Sequence, residues 1–174
     1  MGENLLSLRR YNYNRQSHKS QLHILCIMIR FLGNIEANTD AKGRVFLPAS
    51  FRKVLQSAGE ERLVLRMDLY LPCLVLYPQS VWDELTDKLW GRVNPFDDES
   101  QMLYRVFVGA AEQVVLDSSG RLLLPSRLMD MAELKKSVSF LGVNNKIEIW
   151  DTEKLAKILN PSGDYSMKLK SLMA

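Results

Sequence analysis

Histidine is nearly absent from this 174-residue chain. The only two, His18 and His23, lie within the first 27 residues, so the remainder has no imidazole to serve as general base or metal ligand. Cysteine is equally scarce: Cys26 and Cys73 make no disulfide framework and point to a reduced, intracellular setting. No apolar run approaches the roughly 20 residues that cross a bilayer. There is no Gly-x-x-x-x-Gly-Lys-Ser/Thr loop and no Gly-x-Gly-x-x-Gly turn, so nucleotide phosphates find no glycine cradle. These absences argue against a metal centre, His-assisted nucleophilic catalysis, a membrane span and a nucleotide site. No enzyme activity, cofactor or small-molecule substrate is expected.

Excess charge is also missing where it would matter. The net charge of +3 is carried by the first 27 residues, where Arg9, Arg10, Arg15 and Lys19 face Glu3 alone. The rest of the chain sums to zero. Attraction for an anionic partner must therefore come from where the cations cluster.

What the chain does have is a repeat. Asp40-Ala41-Lys42-Gly43-Arg44-Val45-Phe46-Leu47-Pro48 recurs as Asp117-Ser118-Ser119-Gly120-Arg121-Leu122-Leu123-Leu124-Pro125, at an offset of 77 with five identities in nine positions. Self-similarity of this kind decides architecture. Asp opens a turn by accepting from backbone N–H groups just ahead, and Gly three residues on tolerates positive φ. The apolar triplet predicts a short strand. The Pro suits the first turn of a helix, where its missing N–H is not needed.

The rest of the chain fits two copies of β-β-α-β-β-α. In the first copy, strands are expected at 31–40, 44–47, 63–67 and 73–77, with helices from Pro48 to about Ala58 and from Pro78. The face of the second helix is Val81, Trp82, Leu85 and Leu89. A linker helix is expected over 99–109 with Met102, Leu103, Val106 and Phe107 inward, started by the acidic run Asp97-Asp98-Glu99. The second copy has strands at 113–117, 121–124, 138–143 and 146–150, a helix from Pro125 to about Met131, and a last helix capped by Asp151 or Thr152. Trp82, Trp90 and Trp150 are expected in the core or a subunit interface, and Cys73 as a small buried residue. The divisions are 1–27, a disordered leader or upstream extension with Met28 the natural start; 28–92 and 111–160, the two halves; 93–110, the linker; and 161–174, a loose tail. Four short strands cannot bury a core alone, so the halves are expected to interlock as a pseudo-dimer.

Phe31-Leu32-Gly33, the two Asp-to-Pro stretches, Cys73–Tyr77 with Trp82, Phe107–Ala111 and Gly142–Trp150 together resemble MraZ, a family of bacterial transcriptional regulators. Each half resembles the swapped-hairpin domain of AbrB and SpoVT. The resemblance covers roughly residues 28–160. It implies an α+β fold of two tandem AbrB-like swapped-hairpin β-barrel halves with flanking helices. It further implies closed homo-oligomeric rings that bind direct repeats in double-stranded DNA upstream of their own division and cell-wall gene cluster, usually repressing it, in the cytoplasm at the nucleoid. The family's Asp-x-x-x-Arg DNA-contact signature maps onto Asp40 and Arg44, and onto Asp117 and Arg121. Two departures stand out: Thr39, where an apolar residue is usual, and a bulky hairpin tip at Asp68–Pro72.

The chemistry of the residues is compatible with that. Arg presents a planar fork that matches guanine O6 and N7. Asp40, Gly43, Asp117 and Gly120 then form the turns. Lys42 at the first tip, Arg52 and Lys53 on the following helix, and Arg127 in the second copy are candidates for phosphate contact, which positions a protein without reading sequence. The bland readings are a turn with an internal ion pair for Asp-x-x-x-Arg, and solvated helix faces for Arg52, Lys53 and Arg127. The rival function is an oligomeric protein-interaction or antitoxin-like module without specific DNA binding.

Overall fold

Neither half of the chain completes its own sheet. The computed structural model describes residues 29–160, 163 and 165–174. The first half contributes β1 (Phe31–Asn38), β2 (Arg44–Phe46), α1 (Ala49–Ser57), β3 (Arg62–Met67), β4 (Leu74–Pro78) and α2 (Gln79–Trp90). A linker helix, α3 (Asp98–Gly109), follows. The second half adds β5 (Glu112–Val115), β6 (Arg121–Leu123), α4 (Ser126–Met131), β7 (Ser137–Asn144), β8 (Lys146–Asp151) and α5 (Thr152–Leu159), and α6 (Tyr165–Met173) ends the chain. The β-β-α-β-β-α order is thus present twice.

Six strands form one antiparallel sheet in the order β1-β7-β8-β4-β3-β5, and β2 pairs with β6 in a separate two-stranded ribbon. The first strand of each half therefore lies on the hairpin of the other: β1 on β7 and β5 on β3. This is the interlocking of the halves anticipated from the repeat. A pseudo-twofold axis relates them. It passes where Val75 faces Glu148 across β4–β8 and where Val45 faces Leu122 across the ribbon; in each case a residue meets its own counterpart. The counterparts are 77 residues apart at the ribbon but 73 apart at β4–β8. The second copy loses residues in its shorter helix, six against nine, and in its tighter hairpin turn at Asn144-Asn145.

The core lies between one face of the sheet, the ribbon and helices α1 and α4. Period-two alternation sends Val45, Leu47, Leu122 and Leu124 inward, each no more than 1% exposed. Phe31 and Phe51 meet edge to face with centroids 5.6 Å apart. Burial of one such aliphatic or aromatic side chain contributes about 1.5–3 kcal/mol. On the sheet's other face α2 and α3 pack: Trp82 stacks on Phe107 at 5.4 Å, and the Arg66 guanidinium lies 4.0 Å from the same ring. Arg66 is buried with its Nε unpartnered, and burial lowers its pKa. Glu148, beside the pseudo-axis, accepts from Trp150 Nε1 at 3.0 Å and pairs with Lys146 at 3.1 Å.

Several expectations from sequence need correction or sharpening. Of the four apolar residues assigned to the inner face of α3, only Phe107 turns inward; Met102, Leu103 and Val106 are 58–65% exposed. Periodicity found an apolar face but could not say that this monomer leaves most of it open. Trp82 and Trp150 are buried, whereas Trp90 is exposed and packs against Tyr104. The tail expected to be loose holds α6, none of whose residues is buried. Asp151, not Thr152, caps α5, accepting from Lys154 N at 3.2 Å. Thr39 is buried with its hydroxyl on Lys136 O. The tip at Asp68–Pro72 closes on the Asp68 carboxylate and exposes Leu69, Tyr70 and Leu71. Cys73 is buried, and burial pushes its thiol up to about 12. Residues 1–27 and Met28 lie outside the described residues.

Candidate nucleic-acid interface

The two Asp-x-x-Gly-Arg turns are built alike. In the first, Asp40 Oδ1 accepts from the amides of Lys42 and Arg44 at 2.9 and 3.0 Å, and Gly43 N donates to Asp40 O at 3.0 Å. In the second, Asp117 Oδ1 accepts from Ser119 and Arg121 amides, both at 2.9 Å. Gly43 and Gly120 hold φ of +76° and +80°, the left-handed region that the turn requires and that L side chains resist. Each carboxylate then uses its second oxygen on the Arg side chain: Arg44 Nε reaches Asp40 Oδ2 at 2.7 Å, and Arg121 Nε reaches Asp117 Oδ2 at 2.7 Å.

That contact fixes one edge of each guanidinium and leaves the side chains about a third exposed, 35% and 29%. It also acts on the acids. The Arg44 side chain, with the Arg44 amide second, holds the Asp40 carboxyl down to about 2. Asp117 is lowered too, chiefly by the Arg121 amide and then by its side chain.

The ribbon joins the turns. Leu47 N donates to Gly120 O at 3.1 Å and Leu124 N to Gly43 O at 2.9 Å, so each turn is tied to the strand leaving the other. With Val45 and Leu122 inside, the outer face of β2–β6 carries Arg44, Phe46, Arg121 and Leu123. The register sets Arg44 opposite Leu123 and Phe46 opposite Arg121. The two Arg residues therefore sit on one diagonal, roughly 7–8 Å apart at Cα, and the two apolar residues on the other. Phe46 and Leu123 are 56% and 54% exposed, and the Arg121 guanidinium lies 5.9 Å from the Phe46 ring. Assigning the apolar triplets to strands missed this pair as surface residues, although alternation about Val45 and Leu122 carried the signal.

The other candidates are placed differently. Lys42 is exposed at the first tip. Arg52 reaches from α1 to the second turn, where its Nη1 donates to Ser119 O at 3.4 Å. Its counterpart, Met129, lies against Gly43 in the same way. Lys53 is exposed on α1. Arg127 is drawn to Glu112, 2.6 Å from Nη2 to Oε1. The structure thus gathers Lys42, Arg44, Arg52 and Arg121 around the ribbon, while the charge of Arg127 is engaged beside it. Among the described residues, no three of His, Cys, Asp and Glu are grouped to hold a metal ion.

Residues 30–106 and 107–169 each match the family model described as "MraZ protein, putative antitoxin-like". This chain belongs to the MraZ family. The relative named transcriptional regulator MraZ in Bacteroides thetaiotaomicron is 45% identical over 146 residues, covering 84% of this chain and 94% of that protein. The relative of the same name in Phocaeicola vulgatus is 46% identical over 145 residues, covering 83% and 94%. A more distant one, in Hydrogenovibrio crunogenus, is 36% identical over 151 residues, covering 83% and 99%. The two family matches meet between Val106 and Phe107, inside α3. No helix among the described residues is long and apolar enough to cross a membrane.

Proposed function

We propose that this chain is a sequence-specific, DNA-binding transcriptional regulator that does no catalysis and works in the cytoplasm at the nucleoid. Its reading head is the outer face of the β2–β6 ribbon, with Arg44 and Arg121 entering the major groove. The observation that carries this reading is the pairing of two identically built Asp–Arg turns across a pseudo-twofold axis on one exposed face. A two-stranded ribbon has the width of the major groove, and Arg is the side chain that most often reads guanine there. Lys42, Arg52 and Lys53, with Ser118 and Ser119, supply phosphate contacts that set the register, and Arg127 joins them if it leaves Glu112.

One subunit without net charge beyond its leader binds weakly. We infer that subunits close into a ring and engage direct repeats upstream of the protein's own division and cell-wall gene cluster, repressing it. The exposed apolar face of α3 supports such docking, since Met102, Leu103 and Val106 have no cover within the monomer. Linked sites raise avidity by roughly 10²–10⁴ over a single site.

The test is the double variant Arg44→Ala with Arg121→Ala, in a mobility-shift assay on DNA from upstream of the gene. If each Arg reads a guanine at about 1–3 kcal/mol, affinity falls by at least about 30-fold, while assembly state by light scattering stays unchanged. An undiminished shift would refute the reading and leave the protein-interaction module as the better account.

A further inference from the structure

The ribbon's second diagonal is unaccounted for by phosphate or guanine contacts. Phe46 and Leu123 stand 56% and 54% exposed on a surface otherwise made of Arg side chains and turn tips, while the neighbouring Val45, Leu47, Leu122 and Leu124 are all buried. An apolar side chain held out beside guanidinium groups fits a partner surface that is anionic overall yet offers local apolar groups. In the major groove that group is the thymine C5-methyl, which no other base of DNA presents.

We propose that Phe46 is a specificity-determining residue that seats against a thymine methyl in the major groove, and that its inequality with Leu123 gives the ribbon a direction on DNA. This rests on the DNA-binding reading above. The spacing is suitable: residues two apart on a strand are about 6.8 Å apart, close to two base-pair steps of about 3.4 Å. With the ribbon along the groove, Arg44 on a guanine sets Phe46 over a base two steps away. The opposite arm carries the same Arg with a smaller apolar partner, Leu123, and its tip has Ser118 and Ser119 where the first has Ala41 and Lys42. A backbone with twofold symmetry thus presents unlike side chains to its two half-sites, and the preferred site is non-palindromic.

The experiment starts from a randomised duplex pool, from which the full-length chain selects its preferred sequence. Each thymine of the selected duplex is then replaced by deoxyuridine, which removes the methyl and keeps every hydrogen bond. Wild type, Phe46→Ser and Phe46→Leu are compared on the set. The expected result is one replacement that weakens wild type about fourfold, the equivalent of one buried methyl. That penalty vanishes in Phe46→Ser and returns in Phe46→Leu. Thermal melts confirm that the variants, altered at an exposed position, remain folded. If a motif is selected but no replacement matters, or the penalty survives in Phe46→Ser, the assignment of Phe46 is overturned and the guanine reading stands. If wild type selects no motif, both fall.

Discussion

Gly43 and Gly120 occupy equivalent turns with nearly the same positive φ, yet alanine at the two positions should cost different amounts. The conformational cost is shared: an L residue in the left-handed region loses about 1–2 kcal/mol relative to Gly. The surroundings differ. A Cβ on Gly43 would sit 2.9 Å from Leu124 O, a backbone atom of the strand the turn is tied to, and 3.3 Å from Met129 Sδ. A Cβ on Gly120 would run into the Arg52 guanidinium, but that is the far end of a long side chain that can swing out. Arg52 gives up only a 3.4 Å hydrogen bond to Ser119 O when it moves. At Gly43, by contrast, relief requires separating the backbones and straining the 2.9 Å bond from Leu124 N to Gly43 O, worth about 0.5–1.5 kcal/mol. Gly43→Ala should therefore destabilise by about 2–3 kcal/mol and Gly120→Ala by about 1–2 kcal/mol. Urea titrations at one fixed protein concentration measure both, because assembly would otherwise shift the midpoints. Equal losses, or a larger loss for Gly120→Ala, would show that backbone proximity does not decide the cost.

Further outcomes are expected. The Asp40 carboxyl, lowered from 3.8 to about 2, strengthens its turn at pH above 3.8 and loses that contribution as pH falls through about 2. Arg44→Ala should move the Asp40 midpoint in an NMR titration well back toward 3.8, whereas Arg121→Ala should leave Asp117 still depressed, because its largest cause is a backbone amide. Arg66→Met should change stability by less than about 1 kcal/mol although Arg66 is buried, since it removes a desolvated charge whose Nε is unpartnered and keeps an apolar side chain against Phe107. A loss clearly above about 1 kcal/mol would contradict this. Phe107→Ala, at a half-buried position, should cost less than the about 3–5 kcal/mol of a fully buried Phe truncation and raise hydrogen exchange across α3, by removing the ring between Trp82 and Arg66. Asp151→Ala should cost about 1 kcal/mol through the lost cap of α5, read by thermal melting.

The turns were legible because their chemistry is local. Asp, Gly and Arg at fixed spacing specify hydrogen bonds within five residues, and the structure forms them twice. The hairpins at β3–β4 and β7–β8 were equally plain from apolar runs broken by Asp68–Pro72 and Asn144-Asn145. What sequence left open were surfaces. Met102, Leu103 and Val106 follow the same period as Phe107, but which part of that stripe meets the sheet depends on where Trp82 and Arg66 stand in three dimensions. Arg52 read as either a phosphate contact or a solvated cation, because nothing local says that the second turn lies over it. The cross-half pairing of β2 with β6 turned Phe46 from a strand residue into a surface one, and that pairing joins segments far apart in the chain.

The exchange of edge strands also governs how the molecule can be made. β1 leaves the ribosome well before its partner β7, and Phe31 must wait for Asn144. The nascent first half therefore travels with an unsatisfied strand and an open edge on β3 until β5 and β7 emerge. Completion of the six-stranded sheet therefore waits for the second half, and a truncated product ending at the linker would be left seeking a strand from a neighbouring chain.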